Sequence, residues 1–257
     1  MVEQRRVPMA EADPYLLFGL LGKHVIHPGG RRSTEELLAL AELAPGQQVL
    51  DIGCGVGTTA IEMATRFGVT VKAADISPDM RDRAIANARS AGVADRLSVE
   101  AADICALPYE SGRFDRVVAE AVTMFVDRDR AIAELVRVCR PGGLVLATEF
   151  HWQRPPTAEA RHAFLGEVCP GMLFDTLEDW LARYRSAGLV DLQVRTGPFE
   201  MMTARGFISD EGFGNAIRVM ARAMTSGTAR RRMMWMMPRI SRAVPYLGYV
   251  LICGRRA

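Results

Sequence analysis

The chain has 257 residues, of which 49% are hydrophobic and 24% charged, and its formal net charge is +2. This composition is that of a globular protein and excludes a predominantly disordered chain, because the apolar side chains can offset the entropy lost on folding. The near balance of charges gives no basis for a nucleic-acid binder, which needs a concentrated basic surface. The length fits one large domain or one domain with an added segment.

The cysteines and the termini bear on where the protein works. Its five cysteines are odd in number, and no two have the C-x-x-C spacing of a zinc or redox site. The N-terminus lacks a signal-peptide pattern, and no apolar run approaches the ~18 residues of a membrane span. We therefore expect a cytoplasmic protein, a monomer or homodimer, without a metal, a nucleic-acid partner or stable membrane insertion.

The N-terminal part predicts helices. An apolar segment, Tyr15–Leu21, is followed by the loop His27-Pro28-Gly29-Gly30. Ser33-Thr34-Glu35-Glu36 then matches a capping box, which predicts a helix that begins there and runs to about Leu43. We interpret residues 1–44 as an N-terminal helical cap.

From about residue 48 to 150, short β-branched runs alternate with longer helical patterns. This alternation is typical of a parallel sheet with helices on both faces. The predicted strands are Gln48–Ile52, Thr70–Ala74, Leu97–Ala101, Arg116–Ala119 and Leu144–Glu149. The predicted helices between them are Thr59–Phe67, Pro78–Ala91 and Arg128–Val138.

The C-terminal part predicts a helix at Thr176–Gly188 and strands at Asp191–Arg195 and Tyr246–Cys253. About 50 residues separate those two strands, far more than a hairpin needs. We expect an α/β core at 45–196, a helical substrate lid at 197–245 and a final core strand at 246–257. Removal of the lid should then abolish turnover of the acceptor and spare cofactor binding.

The most informative motif is a glycine turn after the first strand. Val49–Ile52 leads into Gly53-Cys54-Gly55-Val56-Gly57 and then into a helix. Glycines allow a sharp turn and a close approach of the backbone to a ligand, and the helix presents unpaired N–H groups to it. Asp75 follows the next strand, 22 residues after Gly53 (75 − 53). A carboxylate about 20 residues on accepts hydrogen bonds from ribose hydroxyls in nucleotide-binding folds, although Asp75 could instead cap the following helix.

Five ordered motifs resemble those of class I S-adenosylmethionine-dependent methyltransferases, most closely the small-molecule group that contains ubiquinone and menaquinone C-methyltransferases. They are VLDIGCGVG (49–57), AADISPDM (73–80), ADICALP (102–108), FDRVV (114–118) and RVCRPGG (137–143). The resemblance implies a doubly wound, Rossmann-like sheet of seven strands, mostly parallel with the last antiparallel. The inserted segment before the last strand departs from the quinone enzymes, in which this connection is short.

The resemblance also implies a set of cofactor contacts. Gly53, Gly55 and Gly57, with Cys54 among them, would line the methionine and ribose portion. Asp75 would hold the ribose hydroxyls. The remaining implied contacts are Ile76 on the adenine, Asp103 on its amine, the Ile104 amide on its ring, Glu120 beside the sulfonium, and Gly29 and Gly30 over the methionine carboxylate. Asp51 would orient the methionine amine or the loop, or would only cap the amides of the glycine turn.

The acceptor site is less defined. His151, directly after the fifth strand, is a candidate base or acceptor contact, and Glu120 is a second catalytic candidate. Met201, Met202 and Trp235 could line an adaptable apolar pocket, or could simply pack the core of the inserted helices. We expect a methyltransferase that acts on a small, apolar molecule by in-line transfer, the alternative being a non-catalytic or regulatory cofactor-binding protein.

Overall fold

The computed structural model describes residues 7–173, 175–201 and 203–257. One sheet of seven strands runs through these residues in the order β3-β2-β1-β4-β5-β7-β6. The strands are β1 (Gln48–Ile52), β2 (Thr70–Ala74), β3 (Leu97–Glu100), β4 (Phe114–Glu120), β5 (Cys139–Trp152), β6 (Leu189–Pro198) and β7 (Leu247–Arg256). Strands β1 to β5 pair in parallel, and β7 is antiparallel to both β5 and β6. The predicted fold class is confirmed.

The strand order reverses between β1 and β4, which is where such sheets bind ligands. Leu50 pairs with Val117 across these two strands, and their carboxyl ends, Ile52 and Glu120, reach the same edge of the sheet. The strand interiors are buried on both faces, as expected for a parallel sheet covered by helices. The geometry therefore gathers the loops after β1, β2 and β4 at one edge.

Helices cover both faces of the sheet. The helices are α1 (Pro14–Leu21), α2 (Gly30–Leu40), α3 (Thr58–Phe67), α4 (Pro78–Ser90), α5 (Arg128–Val138), α6 (Ala158–Arg161), α7 (Leu177–Ser186), α8 (Ala204–Thr225) and α9 (Gly227–Ala243). Apolar residues of α2, α3 and α4 pack on one face, and those of α5 and α7 pack on the other. No helix of the described residues is long and apolar enough to cross a membrane.

The long connection between β6 and β7 forms the helices α8 and α9. Their buried residues join α1 and the π-helical segment His162–Val168 in a separate apolar cluster over the carboxyl end of β5. Helix α8 is interrupted at Gly212, whose φ of 70° and ψ of 156° are not helical. Only glycine adopts this conformation without strain, so the chain changes direction inside α8.

The predicted start of the second helix is wrong. Helix α2 begins at Gly30, three residues before Ser33, after Gly29 in a left-handed conformation with φ of 81°. The hydroxyl of Ser33 donates to the carbonyls of Gly30 and Pro28, both at 2.9 Å, rather than capping a helix. Two glycines with positive φ allow the chain to enter the helix earlier than the polar capping pattern suggests.

Candidate active site

The glycine turn after β1 packs against the end of β2. The amides of Gly53 and Cys54 both donate to the carbonyl of Ala74, at 2.7 and 3.1 Å. A Cβ on Gly53 would lie 2.3 Å from Val122, whereas one on Gly55 would meet no atom within 4 Å. Gly57 caps α3 with φ of 82° and faces Ala84 of α4. Gly53 and Gly57 thus allow close packing, and Gly55 faces open space.

Asp75, directly after β2, connects two turns at the edge of the sheet. Its Oδ2 accepts from the Gly55 amide at 2.9 Å, and its Oδ1 accepts from the Ser77 amide at 2.8 Å. Burial raises the pKa of this carboxyl, and the two amides act in the opposite direction. Ser77 is the residue that caps α4, since its side chain accepts from the Met80 amide. Asp75 is therefore not the cap, and it stabilises the turn that presents Gly55.

Glu120 ends β4 and is held from two helices. The Thr59 hydroxyl of α3 donates to Oε1 at 2.6 Å, and the Thr34 hydroxyl of α2 donates to Oε2 at 3.2 Å. The Nδ1 atom of His27 lies 3.5 Å from Oε2. These contacts fix the carboxylate at the point where the strand order reverses.

Asp51, at the end of β1, is buried with one oxygen unsatisfied. The amide of Ala60 bonds to its carboxyl, but Oδ2 has no hydrogen-bond partner among the described residues. Burial raises its pKa well above the usual value, and the charges of Glu120 and Asp75 raise it further. A buried oxygen without a partner costs free energy, so a cationic donor placed there would be strongly favoured.

Asp51 and Glu120 line a small cavity of about 60 Å³ over the glycine turn. It is enclosed on its other side by the segment between α1 and α2. The lining residues are His24, Ile26, His27, Asp51, Gly53, Cys54, Gly55, Val56, Thr58, Thr59 and Glu120. The cavity is small and bears two carboxylates, which suits a compact cationic group.

A larger cavity of about 450 Å³ adjoins it and shares Ile26, Gly53, Gly55 and Glu120 with it. Asp75, Ile76, Asp103 and Ile104 line this cavity on the β2 and β3 side, together with Ser77, Pro78, Asp79, Met80 and Ala102. On the opposite side the lining is Val7, Asp13, Tyr15, Leu16, Ala121, Val122, Phe125 and Val126. Among the described residues, its charged lining groups are all carboxylates.

A third cavity of about 330 Å³ lies between the wall of the larger cavity and α9. It shares Val7, Asp13, Leu16 and Phe125 with the larger cavity, and Arg232 of α9 lines its far side. Cys169 and Val168 of the segment that follows α6 also line it. Helix α9 therefore borders a cavity that shares four wall residues with the larger cavity at the sheet edge.

The structure brings most of the predicted cofactor residues together. Nine of them line one or both of the first two cavities: Asp51, Gly53, Cys54, Gly55, Asp75, Ile76, Asp103, Ile104 and Glu120. Ile76 is 44% exposed there, which leaves an apolar face open to a ligand. Gly57, Gly29 and Gly30 do not line these cavities: Gly29 faces Tyr249, and Gly30 faces the carboxylate of Asp210.

The predicted acceptor residues lie elsewhere. His151 is buried on β5, where burial lowers its pKa, and it lines none of the three cavities. Met201 is buried in the apolar cluster beneath α8 and α9, and Trp235 stacks between Arg232 and Arg239. Met202 lies outside the described residues. Of the two roles considered for these side chains, lining a pocket or packing the core, the burial of Met201 agrees with core packing.

Sequence reasoning missed the side chains that line the site from outside the motifs. They are Thr34 and Thr59 around Glu120, and Tyr15, Leu16 and Phe125 in the larger cavity. The position of Thr59 could have been predicted from the local sequence, because it lies in the first turn of the helix that follows the glycine turn. Phe125 had none, because it lies in a short 3-10 turn (Thr123–Phe125) without periodicity.

The sheet order and this site define a Rossmann-like protein of the methyltransferase type, and comparisons with known proteins agree. The family described as "Methyltransferase domain" matches residues 49–143. The chain is 34% identical to 27-O-demethylrifamycin SV methyltransferase from Amycolatopsis mediterranei over 88% of this chain and 83% of that protein. The chain belongs to the class I S-adenosylmethionine-dependent methyltransferase family.

Solved structures are similar at the level of the fold. Phosphoethanolamine N-methyltransferase 2 of Haemonchus contortus, in complex with phosphomonomethylethanolamine and S-adenosylhomocysteine, has a TM-score of 0.75 and 21% identity. That match covers 94% of this chain but only 57% of the other, so this chain spans little more than half the length of that protein. The (4+2)-cyclase SpnF has a TM-score of 0.71 and 22% identity over 95% of this chain and 91% of its own. None of these three is a quinone methyltransferase, so that narrower resemblance stays a prediction.

Proposed function

We propose that this protein binds S-adenosylmethionine across the small and the larger cavity and transfers its methyl group to a small apolar acceptor. The observation that carries the proposal is the unsatisfied Oδ2 of Asp51 in the small cavity, beside the carboxylate of Glu120. The methionine ammonium would supply the cationic donor that this buried oxygen lacks. The residues of the small cavity therefore fit the charged methionine end of the cofactor.

The larger cavity suits the adenosine portion. Asp75 already accepts from two amides, and each carboxylate oxygen retains a lone pair for a ribose hydroxyl. Ile76 offers an apolar face to the adenine. The carboxylate of Asp103 accepts from the Cys105 amide through Oδ1 at 2.8 Å, which leaves its other oxygen for the adenine amine. The amide of Ile104 would donate to the ring.

The acceptor would occupy the side of the larger cavity formed by Tyr15, Leu16 and Phe125, with the third cavity behind it. Among the described residues, the larger cavity has no lysine, arginine or histidine in its lining. A phosphate-bearing acceptor would find no cationic partner in the larger cavity and would be repelled by its carboxylates. The third cavity does contain a cationic group, Arg232, but Glu11, Asp13 and Glu167 line the same cavity. We therefore propose a neutral, mostly apolar acceptor, with residues 197–245 as its lid.

When bound, the cofactor would supply an electrophilic methyl group on a sulfonium. The acceptor atom would form a bond to the methyl carbon as the carbon–sulfur bond breaks in line, and S-adenosylhomocysteine would leave as a neutral thioether. The positive charge would pass to the methylated acceptor, which would lose it by releasing a proton where it carries one. The protein would contribute by holding the two reactants on one axis, about 3 Å apart. Thr34 and Thr59 hold both oxygens of Glu120, so this carboxylate is positioned to balance positive charge near the sulfur. Tyr15 and Phe125 meet edge to face at 5.2 Å and would orient the acceptor.

Calorimetric titration with S-adenosylmethionine and S-adenosylhomocysteine tests the cofactor assignment, and we expect both to bind. Transfer of a radiolabelled methyl group into fractions of a bacterial extract then tests the acceptor, with label expected in the lipid fraction. Failure of both ligands to bind contradicts the proposal. Label among polar molecules contradicts the apolar acceptor alone.

A second candidate is a protein that keeps the cofactor pocket without transferring methyl groups. The structural likeness to a cyclase shows that this fold also carries a different chemistry. Tight binding of S-adenosylmethionine without formation of S-adenosylhomocysteine in any extract fraction would favour this candidate. Formation of S-adenosylhomocysteine together with a labelled product excludes it.

A further inference from the structure

The inserted helix α8 makes an unusual ionic contact with the segment that encloses the small cavity. Lys23, in the segment Lys23–Arg31 (the 23–31 segment), is fully buried, and its Nζ lies 3.5 Å from both Asp210 Oδ2 and Glu211 Oε1. The same ammonium lies 5.2 Å from the centre of the Phe207 ring. Buried ion pairs contribute little net stability compared with apolar packing, so a positioning role is a reasonable explanation for this one.

Both carboxylates also bind the backbone of the 23–31 segment. Glu211 Oε1 accepts from the amides of His24 and Val25, at 2.9 and 3.0 Å, although these residues are 187 and 186 positions away in sequence. Asp210 Oδ1 accepts from the Arg31 amide at 2.9 Å. Three amides of one segment are therefore fixed by two neighbouring carboxylates of α8.

The backbone conformation near Gly212 and Gly30 lets the carboxylates of Asp210 and Glu211 reach the 23–31 segment. Gly212, with its non-helical conformation, follows Glu211 directly and turns the chain after the two acids. A Cβ on Gly30 would lie 2.2 Å from Asp210 Oδ1, so the absence of a side chain there lets the segment reach the carboxylate. Asn215, one turn beyond Glu211, donates to the Gly22 carbonyl at 3.1 Å. Residues of α8 and of the 22–31 stretch both contribute to this contact, which does not depend on one long side chain.

The 23–31 segment is a wall of the small cavity. His24, Ile26 and His27 line it, and His27 also contacts Glu120. The Thr58 hydroxyl, at the start of α3, donates to the His24 carbonyl at 2.7 Å. The segment is therefore held between α8 on one side and the glycine-turn helix on the other.

We propose that Asp210 and Glu211 are positioning residues for the cofactor, because they hold the 23–31 segment over the methionine end of the site. This inference rests on the proposed function. It differs from the expectation that the inserted helices serve only the acceptor: they would also complete the cofactor site, and their removal would impair cofactor binding.

The test uses the full-length protein and two ligands that differ only at the methionine end. Glu211→Ala removes the acceptor of two amides and is expected to weaken S-adenosylhomocysteine binding about tenfold or more. Binding of 5′-methylthioadenosine, which lacks the amino-acid group, should change by less than about twofold. Glu211→Gln keeps an oxygen for the amides and should recover most of the affinity.

Asp115→Ala is the matched control. Asp115 also accepts from a backbone amide, that of Gln48 at 2.8 Å, and from Arg140, but at the opposite edge of the sheet. It should lower thermal stability without changing either affinity. If Glu211→Ala does not fold, the same comparison is made with Asp210→Asn, for which we expect about a threefold loss for S-adenosylhomocysteine alone.

Equal weakening of both ligands, or unchanged binding of both, would overturn the inference. An equal effect of Asp115→Ala would do so too, since it would reduce the result to a general loss of stability. A wild-type protein that binds neither ligand contradicts the proposed function instead. The two failures are therefore distinguishable.

Discussion

The hydroxyl of Thr59 lies 2.6 Å from Oε1 of Glu120 and joins the first turn of α3 to the end of β4. This hydrogen bond crosses the point at which the strand order reverses, between β1 and β4. It directs the Glu120 carboxylate into both cavities of the site. Thr34 holds the second oxygen from α2, so the carboxylate is fixed before any ligand binds.

We expect Thr59→Val to weaken S-adenosylmethionine binding roughly tenfold, because Glu120 loses a hydrogen bond that orients it and must then be ordered when the ligand binds. Calorimetric titration measures the affinity. The control is Thr65→Val on the same helix, where the hydroxyl donates only to the Ile61 carbonyl. If the Thr65 variant loses as much affinity as the Thr59 variant, the orientation of Glu120 is not the cause.

We expect Asp75→Ala to weaken cofactor binding by about 1.5–3 kcal/mol, because it removes the acceptor for the ribose hydroxyls and frees the Gly55 amide. Asp75→Asn keeps one acceptor oxygen and should lose less. Asp95→Ala, in an exposed pair with Arg96, serves as the control and should leave the affinity unchanged. An unchanged affinity of the Asp75→Ala protein would contradict the ribose assignment.

Substitutions at Gly55 and Gly92 distinguish an effect on cofactor binding from an effect on the free energy of unfolding. We expect Gly55→Ala to cost about 1–2 kcal/mol of stability through its positive φ of 53°, and to reduce cofactor binding because the new methyl group enters the open side of the turn. The control is Gly92→Ala, because Gly92, which follows α4, also has a positive φ and open space around it. It should show the same loss of stability in urea unfolding with unchanged cofactor affinity.

Gly53→Ala should behave differently from Gly55→Ala. Its Cβ would lie 2.3 Å from Val122, so we expect a larger loss of stability than for Gly92→Ala. A Gly55→Ala protein that binds the cofactor as tightly as wild type would show that the backbone at Gly55 does not approach the ligand.

The sheet was predictable because its signals are local. The boundaries of β1 and β2 agree with the predicted strands, since β-branched runs are bounded there by glycine, proline and polar residues. The residues after β1, β2 and β4 were predictable for the same reason, because parallel strands bring their carboxyl ends to one edge. The gathering of Asp51, Asp75 and Glu120 follows directly from the strand order.

The acceptor side was not predictable from local patterns. A methionine such as Met201, in the turn between β6 and α8, gives the same local pattern whether it packs a core or lines a pocket, and here it is buried in the core. His151 was expected near the substrate because it follows a strand, but β5 continues to Trp152 and the histidine stays within the sheet. The contact between Glu211 and His24 spans 187 positions and leaves no trace in either local sequence.

The buried carboxyl of Glu149 provides a test by pH. Thr123 and Tyr184 both donate to its Oε1, and Oε2 has no partner among the described residues. Burial raises the pKa of Glu149 to about 8 from its usual 4.5. The folded protein therefore keeps a proton that the unfolded chain releases above pH 4.5, and stability falls as the pH rises from about 4.5 to about 8.

Glu149→Gln removes this dependence and keeps the oxygen that Thr123 and Tyr184 bond to. We expect the variant to gain stability over wild type by about 1.4 kcal/mol for each unit of pH between about 5.5 and 8, measured by urea unfolding. Glu134→Gln is the control, because Arg137 lowers the pKa of Glu134 and its contribution is constant above the usual pKa. Parallel stability curves for the Glu149→Gln and wild-type proteins over this range would show that Glu149 is charged throughout.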